Sequence, residues 1–263
     1  MSDFAIELQD VAVCYRVPLH PALSLKQYAV QLLQRKTAAR ECWALQALNL
    51  QVARGTALGV VGANGAGKST LLRAISGVVV KSAGSVLLGG RDLAAASPAE
   101  VLAAGIAHVP EGRRLFKGLT VRDNLVLGAY LRRASRGDLE ASLDFVYGLF
   151  PILKERHAQD AVTLSGGEQQ MCAIARGLMA QPRLLMIDEL SLGLAPRAVE
   201  KLTESLVSIR DSGVTIVVVE QDVLTAFELA RDGIVIETGR VTLAGPTADL
   251  INEPRIRQAY LGI

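Results

Sequence analysis

The stretch "GANGAGKST", residues 62–70, constrains this chain more than any other. It fits the pattern G-x-x-x-x-G-K-[S/T], with Gly62, Gly67, Lys68 and Ser69 at the fixed positions. Glycines let the backbone curl until successive N–H groups face one anion, and a helix starting there adds the positive end of its dipole. The flanks suit this use. The apolar run "TALGVVG" leads in as a strand, and residues 69–77 read as a helix. Lys68 then offers a compact positive charge to the outer phosphates of a nucleotide, and the Ser69 hydroxyl is placed for Mg²⁺.

The rest of the chain reads as strands and helices in alternation. From residue 182 onward, "RLLMIDE" reads as a strand, "APRAVEKLTESLVSIRDSG" as a helix and "VTIVVVE" as a strand. "DVLTAFELARD" follows as a helix and "GIVIETGRVTLAG" as a hairpin. Such alternation points to a parallel sheet covered by helices. Upstream, strands are expected over 4–15, about 46–53 and in "GSVLLGG" and "IAHVP". "SPAEVLAAG" is expected to be a helix with Ser97 as its N-cap and Pro98 at its first position. Residues 120–160 are mostly helical in pattern, broken near Gly137 and Pro151.

Residues 17–42 interrupt this order. "VPLHP" reads as a turn, after which Leu25, Tyr28, Ala29, Leu32 and Leu33 fall at helical spacing beside Lys26, Arg35, Lys36 and Arg40. The segment is read as an amphipathic arm. It either packs on the core with a solvated basic face or docks on a partner or membrane surface.

Composition removes several classes. A net charge of +2 with scattered basic residues gives no footprint for nucleic acid. Cys14, Cys42 and Cys172 are far apart and form no C-x-x-C, so reduced thiols in a cytosolic setting are expected. No run approaches 18 apolar residues and no signal-peptide h-region opens the sequence. Hydrophobic residues at 50% with aromatics at 4% suit Ala/Val/Leu-rich α/β packing.

Two further motifs carry chemistry. "LLMIDE" ends in Asp188 and Glu189, which would emerge at the carboxyl end of a core strand, where α/β proteins bind ligands. Asp188 can hold Mg²⁺ directly or through water, and Glu189 can take a proton from an attacking water. "LSGGEQQ", residues 164–170, opens a helix whose inner face is Met171, Ile174, Ala175, Leu178 and Met179. With Ser165 as N-cap and two glycines leaving N–H groups open, it is a second anion site. Two phosphate-type sites about a hundred residues apart fit a head-to-tail pair of chains, in which each nucleotide is held between the loop of one copy and this helix of the other.

"GANGAGKST", "LSGGEQQ" and "LLMIDE", in this order, resemble the ATP-binding subunit of ABC transporters over nearly the whole chain. The resemblance implies an α/β fold: a P-loop NTPase (RecA-like) core with a parallel sheet, an antiparallel β subdomain and a helical signature subdomain. It implies one ABC ATPase domain over 1–263, with the arm at 17–42 inserted, a helical subdomain at about 112–181 and the second half of the catalytic core at 182–263. ATP and Mg²⁺ are the implied cofactors. Nucleotide contacts are expected at Tyr15, which matches the adenine-stacking aromatic, and at Gly62, Asn64, Gly65, Ala66, Gly67, Lys68, Ser69 and Thr70. Ser165, Gly166, Gly167 and Glu168 are expected to reach the nucleotide of a partner. Ser69, Glu111 and Asp188 are the expected metal residues, and Glu189, Gln221 and Lys68 the catalytic ones.

"HVPEGRRLFKGLTVRDNL", with Glu111 where Gln is usual, is similar to the branched-chain amino-acid importer group. So are Gln221 in place of a switch histidine, "SLGLAP" and the end "RQAYLGI". A neutral Gln amide can still donate to a phosphate oxygen. Leu190 departs from that group, which has Pro there. The N-terminal quarter, with "YRVP", the basic arm and "CWALQALNL", instead resembles the ATPases of polysaccharide and lipopolysaccharide exporters. Uptake of branched-chain or other hydrophobic amino acids is the favoured expectation, and glycan export the alternative. A soluble, non-transport ABC ATPase would bring coiled coils, zinc modules or a second cassette, none of which the sequence displays. The implied partners are integral-membrane permeases and a second ATPase subunit, identical or different, at the cytoplasmic face of the inner membrane. A periplasmic substrate-binding protein belongs to the importer version.

Overall fold

A computed structural model describes residues 3–18, 39–93 and 95–261. A six-stranded sheet forms its centre, in the order β10-β9-β3-β8-β7-β6. Its strands are β3 (Ala57–Val61), β6 (Ile106–Val109), β7 (Leu184–Asp188), β8 (Thr215–Glu220), β9 (Asp232–Glu237) and β10 (Arg240–Pro246). All run parallel except β10, which returns against β9. Every residue of β3, β7 and β8 is buried, as expected of parallel strands covered on both faces.

The two faces of β7 show how the pleat divides the core. Leu184 and Met186 pack with α1 (Lys68–Ile75) and a second, antiparallel sheet. Leu185 and Ile187 pack with a helical layer. The second sheet has the order β2-β1-β4-β5, built from β1 (Phe4–Pro18), β2 (Ala39–Ala53), β4 (Ala83–Leu88) and β5 (Arg91–Asp92). The helical layer comprises α3 (Val121–Gly128), α4 (Arg136–Leu149), α5 (Pro151–Glu155) and α6 (Gly166–Leu178). Helix α2 (Pro98–Ala103) precedes β6, while α7 (Pro196–Asp211) and α8 (Val223–Leu229) follow β7 and β8.

Several expectations hold in detail. Ser97 caps α2, with its amide donating to Glu100 at 2.8 Å and Pro98 at the first helical position. The hairpin β9–β10 turns at Thr238 and Gly239, both at positive φ. Met171, Ile174, Ala175 and Leu178 of α6 and its C-cap Met179 are buried, as the helical spacing required.

Two boundaries differ from the sequence reading. The first two strands are longer than 4–15 and 46–53, because the chain pairs Tyr15 with Cys42, Arg16 with Glu41 and Val17 with Arg40 in one antiparallel ladder. Backbone pairing continues there although the side chains are largely exposed and apolar and polar residues do not alternate, so hydrophobic alternation misses it. The arm expected over 17–42 is therefore strand at 17–18 and 39–42, and its helical centre at 19–38 lies outside the described residues. The break expected near Gly137 falls ahead of it, since Ser135 and Asp138 form a capping box that starts α4 at Arg136. Pro151 marks the other break, at the first position of α5.

Candidate active site

The phosphate loop follows β3 directly and ends in α1. Gly67, the last residue before that helix, has φ +111°, and a Cβ there would sit 2.6 Å from the Ala44 carbonyl. Only glycine fits a backbone that is left-handed and pressed against β2. Lys68 is 5% exposed, and its ammonium donates to the carbonyls of Gly62 at 2.7 Å and Ala63 at 3.3 Å. Burial pushes its pKa down, and the charges of Glu189, Asp188 and Glu220 pull it back up. The ammonium is thus stored within the loop by neutral oxygens, which an anionic ligand would outcompete.

Ser69 donates from Oγ to Asp188 Oδ1 at 3.0 Å, joining α1 to the end of β7. Asp188 is 1% exposed. Burial raises its pKa, the Ser69 hydrogen bond opposes this, and the neighbouring Glu189 charge adds to the rise. Glu189 comes next at φ +54°, a left-handed backbone that turns the chain out of the strand. For a non-glycine residue this costs on the order of 1 kcal/mol and is tolerated where the surroundings fix it. Here Glu189 N–H donates to the Val219 carbonyl at 2.9 Å, and Gln221 Nε2 donates to Glu189 Oε1 at 3.0 Å.

These groups open into one cleft of about 530 Å³. Its walls are Ala44, residues 64–70, Glu111, Glu189, Leu192 and Gln221. Of the residues singled out from sequence, Asn64, Gly65, Ala66, Gly67, Lys68, Ser69, Thr70, Glu111, Glu189 and Gln221 all line it. Gly62 sits at its base through its carbonyl, and Asp188 lies beneath Ser69. Tyr15 is not a wall residue. It stands half-exposed on β1 opposite Cys42, two residues before Ala44 on β2.

Ser165, Gly166, Gly167 and Glu168 lie apart from this cleft, at the start of α6. Glu168 Oε2 accepts from Ser165 N at 2.9 Å and from Ser165 Oγ at 2.7 Å, while Arg156 pairs with its other oxygen at 3.3 Å. Arg113 joins this region to the cleft. Its guanidinium donates to Gln169 Oε1 on α6 and to the Leu192 carbonyl at the cleft wall, both at 3.4 Å. Arg113 and Arg114 both have positive φ, at 63° and 47°. Arg176 of α6 holds this strained turn by donating to the Arg114 carbonyl at 2.8 Å and the Arg113 carbonyl at 3.1 Å. Sequence reading passed over Ala44, Leu192 and Arg113. Their roles come from backbone approach and long-range contact, although "GRR" directly after Glu111 was a visible concentration of donors.

A phosphate loop between a core strand and a helix, facing an acidic strand end in a mainly parallel sheet, defines a P-loop nucleoside triphosphatase. The sequence profile described as "ABC transporter" matches residues 45–191, and the chain belongs to that family as one of its ATP-binding, ATP-hydrolysing cassettes. The chain is 43% identical over 219 residues to the high-affinity branched-chain amino acid transport ATP-binding protein BraG of Pseudomonas aeruginosa, covering 83% of this chain and 93% of that one. It is 32% identical over 217 residues to the probable branched-chain amino acid transport ATP-binding protein LivF of Archaeoglobus fulgidus, covering 82% and 91%. Among solved structures, the ADP conformation of an ATP-binding cassette of an ABC transporter matches over 100% of both chains, with a TM-score of 0.77 at 20% identity. That last likeness shows the fold.

Proposed function

We propose that this chain energises the uptake of branched-chain or other hydrophobic amino acids, as the ATPase subunit bound to membrane permeases at the cytoplasmic face of the inner membrane. The observation that carries the chemistry is the meeting of Glu189 and Gln221, 3.0 Å apart, over the phosphate loop in one cleft. The substrate class rests on the two relatives named for branched-chain amino acid transport and on the loops "PEGRR", "VEQ" and "SLGLAP". Among the described residues no helix is long and apolar enough to cross a membrane, so the substrate path belongs to partner subunits. A periplasmic binding protein would deliver the substrate to them.

In this reading the N–H groups of residues 64–70 cradle the phosphates of ATP, and Lys68 turns from the Gly62 carbonyl to the outer phosphates. Tyr15 stacks on the base from the rim. Glu189 takes a proton from water as the water oxygen bonds to the γ-phosphorus, and the bond to the ADP oxygen breaks. Gln221 orients the Glu189 carboxylate and offers its amide to the γ-phosphate. The Ser69 hydroxyl, the buried Asp188 carboxylate and the Glu111 carboxylate are hard oxygen donors that suit Mg²⁺. Mg²⁺ would neutralise charge on the phosphate oxygens. Ser165, Gly166, Gly167 and Glu168 serve the nucleotide of a second subunit. One chain contains both halves of the site, so two identical copies suffice chemically.

The test is Glu189→Gln in the full chain. ATP should stay bound unhydrolysed and drive a stable dimer in size-exclusion chromatography. Turnover near wild type in that variant would remove Glu189 as the base. Purification with its membrane partners tests the transport reading. An importer permease pair supports it, and a glycan-exporter permease overturns it.

A further inference from the structure

The last residue of β8, Glu220, has no part in the chemistry above. It is 2% exposed, and no cation pairs with it among the described residues. Its register partner on β3 is Val61, one residue before the phosphate loop begins. The Lys68 charge acts on Glu220 without forming an ion pair with it, and a buried carboxylate with no ion pair needs several hydrogen-bond donors to remain there. Glu220 has three. Ser191 N donates to Oε1 at 2.7 Å, Ser191 Oγ donates to Oε2 at 3.0 Å, and Gln221 N donates to Oε2 at 3.3 Å. The first two come from the loop that follows Glu189, and the third from the residue that holds Glu189.

Two short segments are therefore tied at both ends. Gln221 joins Glu189 through its side chain, and Glu220 joins Ser191 through its own. The result is a closed ring made of residues 189–191 and 220–221. Glu189 sits within it at positive φ, where its backbone does not rest by preference. Leu190, between the two ties, is 1% exposed and anchors the third side.

From this ring we infer that Glu220 is a positioning residue for ATP hydrolysis, acting through Ser191 to hold the Glu189 carboxylate in line with Gln221. The inference rests on the reading that Glu189 activates water. Glu220 is built for this task because both its oxygens accept and neither needs to donate. A glutamine in its place would, in either orientation of the amide, set its NH₂ against a backbone N–H, that of Ser191 or that of Gln221, donor against donor, and loosen the ring. Positioning errors of about 1 Å cost on the order of 10²-fold in rate while leaving the substrate's other contacts intact. Loss of the ring should therefore fall on kcat and spare KM.

The experiment is a double-mutant cycle on the full-length chain, reading steady-state turnover against ATP concentration together with thermal melting. Glu220→Gln should lower kcat by about 10-fold or more with KM almost unchanged. Ser191→Ala should lower kcat several-fold in the wild-type background and have no further effect beside Glu220→Gln. Ser191→Thr keeps both donors and should retain wild-type kcat. Multiplying losses in the double variant overturn the inference, as does wild-type kcat in either single variant or a rise in KM in place of the fall in kcat. If Glu220→Gln melts before assay, the Ser191→Ala and Ser191→Thr pair decides alone. Should the wild type itself hydrolyse no ATP, the underlying reading of the site falls, an outcome separate from a failed cycle.

Discussion

Ser69 and Asp188 are 119 residues apart in the chain, yet the hydroxyl of one donates to the carboxylate of the other at 3.0 Å. This bond fixes the first turn of α1 against the end of β7, so the phosphate-binding and acidic elements form one rigid edge. Ser69→Ala should cost hydrolysis more than nucleotide binding, because the loop N–H groups remain. Comparing ATP affinity by a fluorescent ATP analogue with turnover in the same preparations checks this.

Lys68→Ala should weaken ATP binding and reduce turnover by on the order of 10²-fold, since the outer phosphates lose their buried cation. Lys68→Arg should not rescue it. The ammonium fits as a compact donor within 2.7 Å of the Gly62 carbonyl, and a planar guanidinium is longer and forked. Equilibrium ATP binding and phosphate release on both variants would decide.

Gln221→Ala should lower kcat by about 10- to 10²-fold through loss of the donor to Glu189. Gln221→Glu should lower it further, because two carboxylates would then face each other and one would take up a proton. A pH–rate profile of the second variant should show its rate recovering toward lower pH.

His108 predicts how stability follows pH. Burial, with the nearby Arg73 charge adding to it, pushes its pKa down from 6.5 to about 4. The ring is held only by Ser76 Oγ at 3.1 Å from Nδ1, and Nε2 has no partner among the described residues. Between pH 6.5 and 4 the unfolded chain binds this proton and the folded one does not. Stability from neutral His108 is thus complete above that window and lost as pH falls through it. At about 1.4 kcal/mol per pH unit the loss reaches at most about 3.5 kcal/mol. Urea unfolding at pH 7.5 and 5 should show the decline, and His108→Gln should reduce it.

Gly128 closes α3 onto α6. A Cβ there would lie 2.0 Å from the Arg176 carbonyl. Gly128→Ala should therefore destabilise the helical layer by about 1–3 kcal/mol. For a chain of this size that lowers Tm by several degrees, on a scale of about 2–4 °C per kcal/mol.

Much of the candidate site could be read from sequence because its parts announce themselves locally. The glycines and Lys68 need only their own strand and helix. Glu189 and Gln221 end apolar runs, so a parallel sheet brings them to one edge. The contacts that sequence did not reveal depend on tertiary packing. Ala44 enters the cleft because β1 and β2 pair through residues 39–45, where the exposed Arg40, Glu41 and Trp43 break the hydrophobic alternation. Glu220 and Ser191 are 29 residues apart, and nothing in "VVVEQD" or "SLGLAP" names the other. The left-handed turn at Arg113 and Arg114 follows Gly112, which marks only its start, and the two non-glycine residues hold that backbone because Arg176 supplies donors to their carbonyls.

That turn has a mechanical consequence. Helix α6 begins at Gly166 and Gly167 and reaches Arg176 about 15 Å further along, a stiff rod by its hydrogen bonding. Its far end grips the chain two and three residues after Glu111. Whatever tilts the rod at its glycine end would tug Glu111 at the other, so under the proposed function a second subunit's triphosphate and this subunit's cleft wall would share one lever arm.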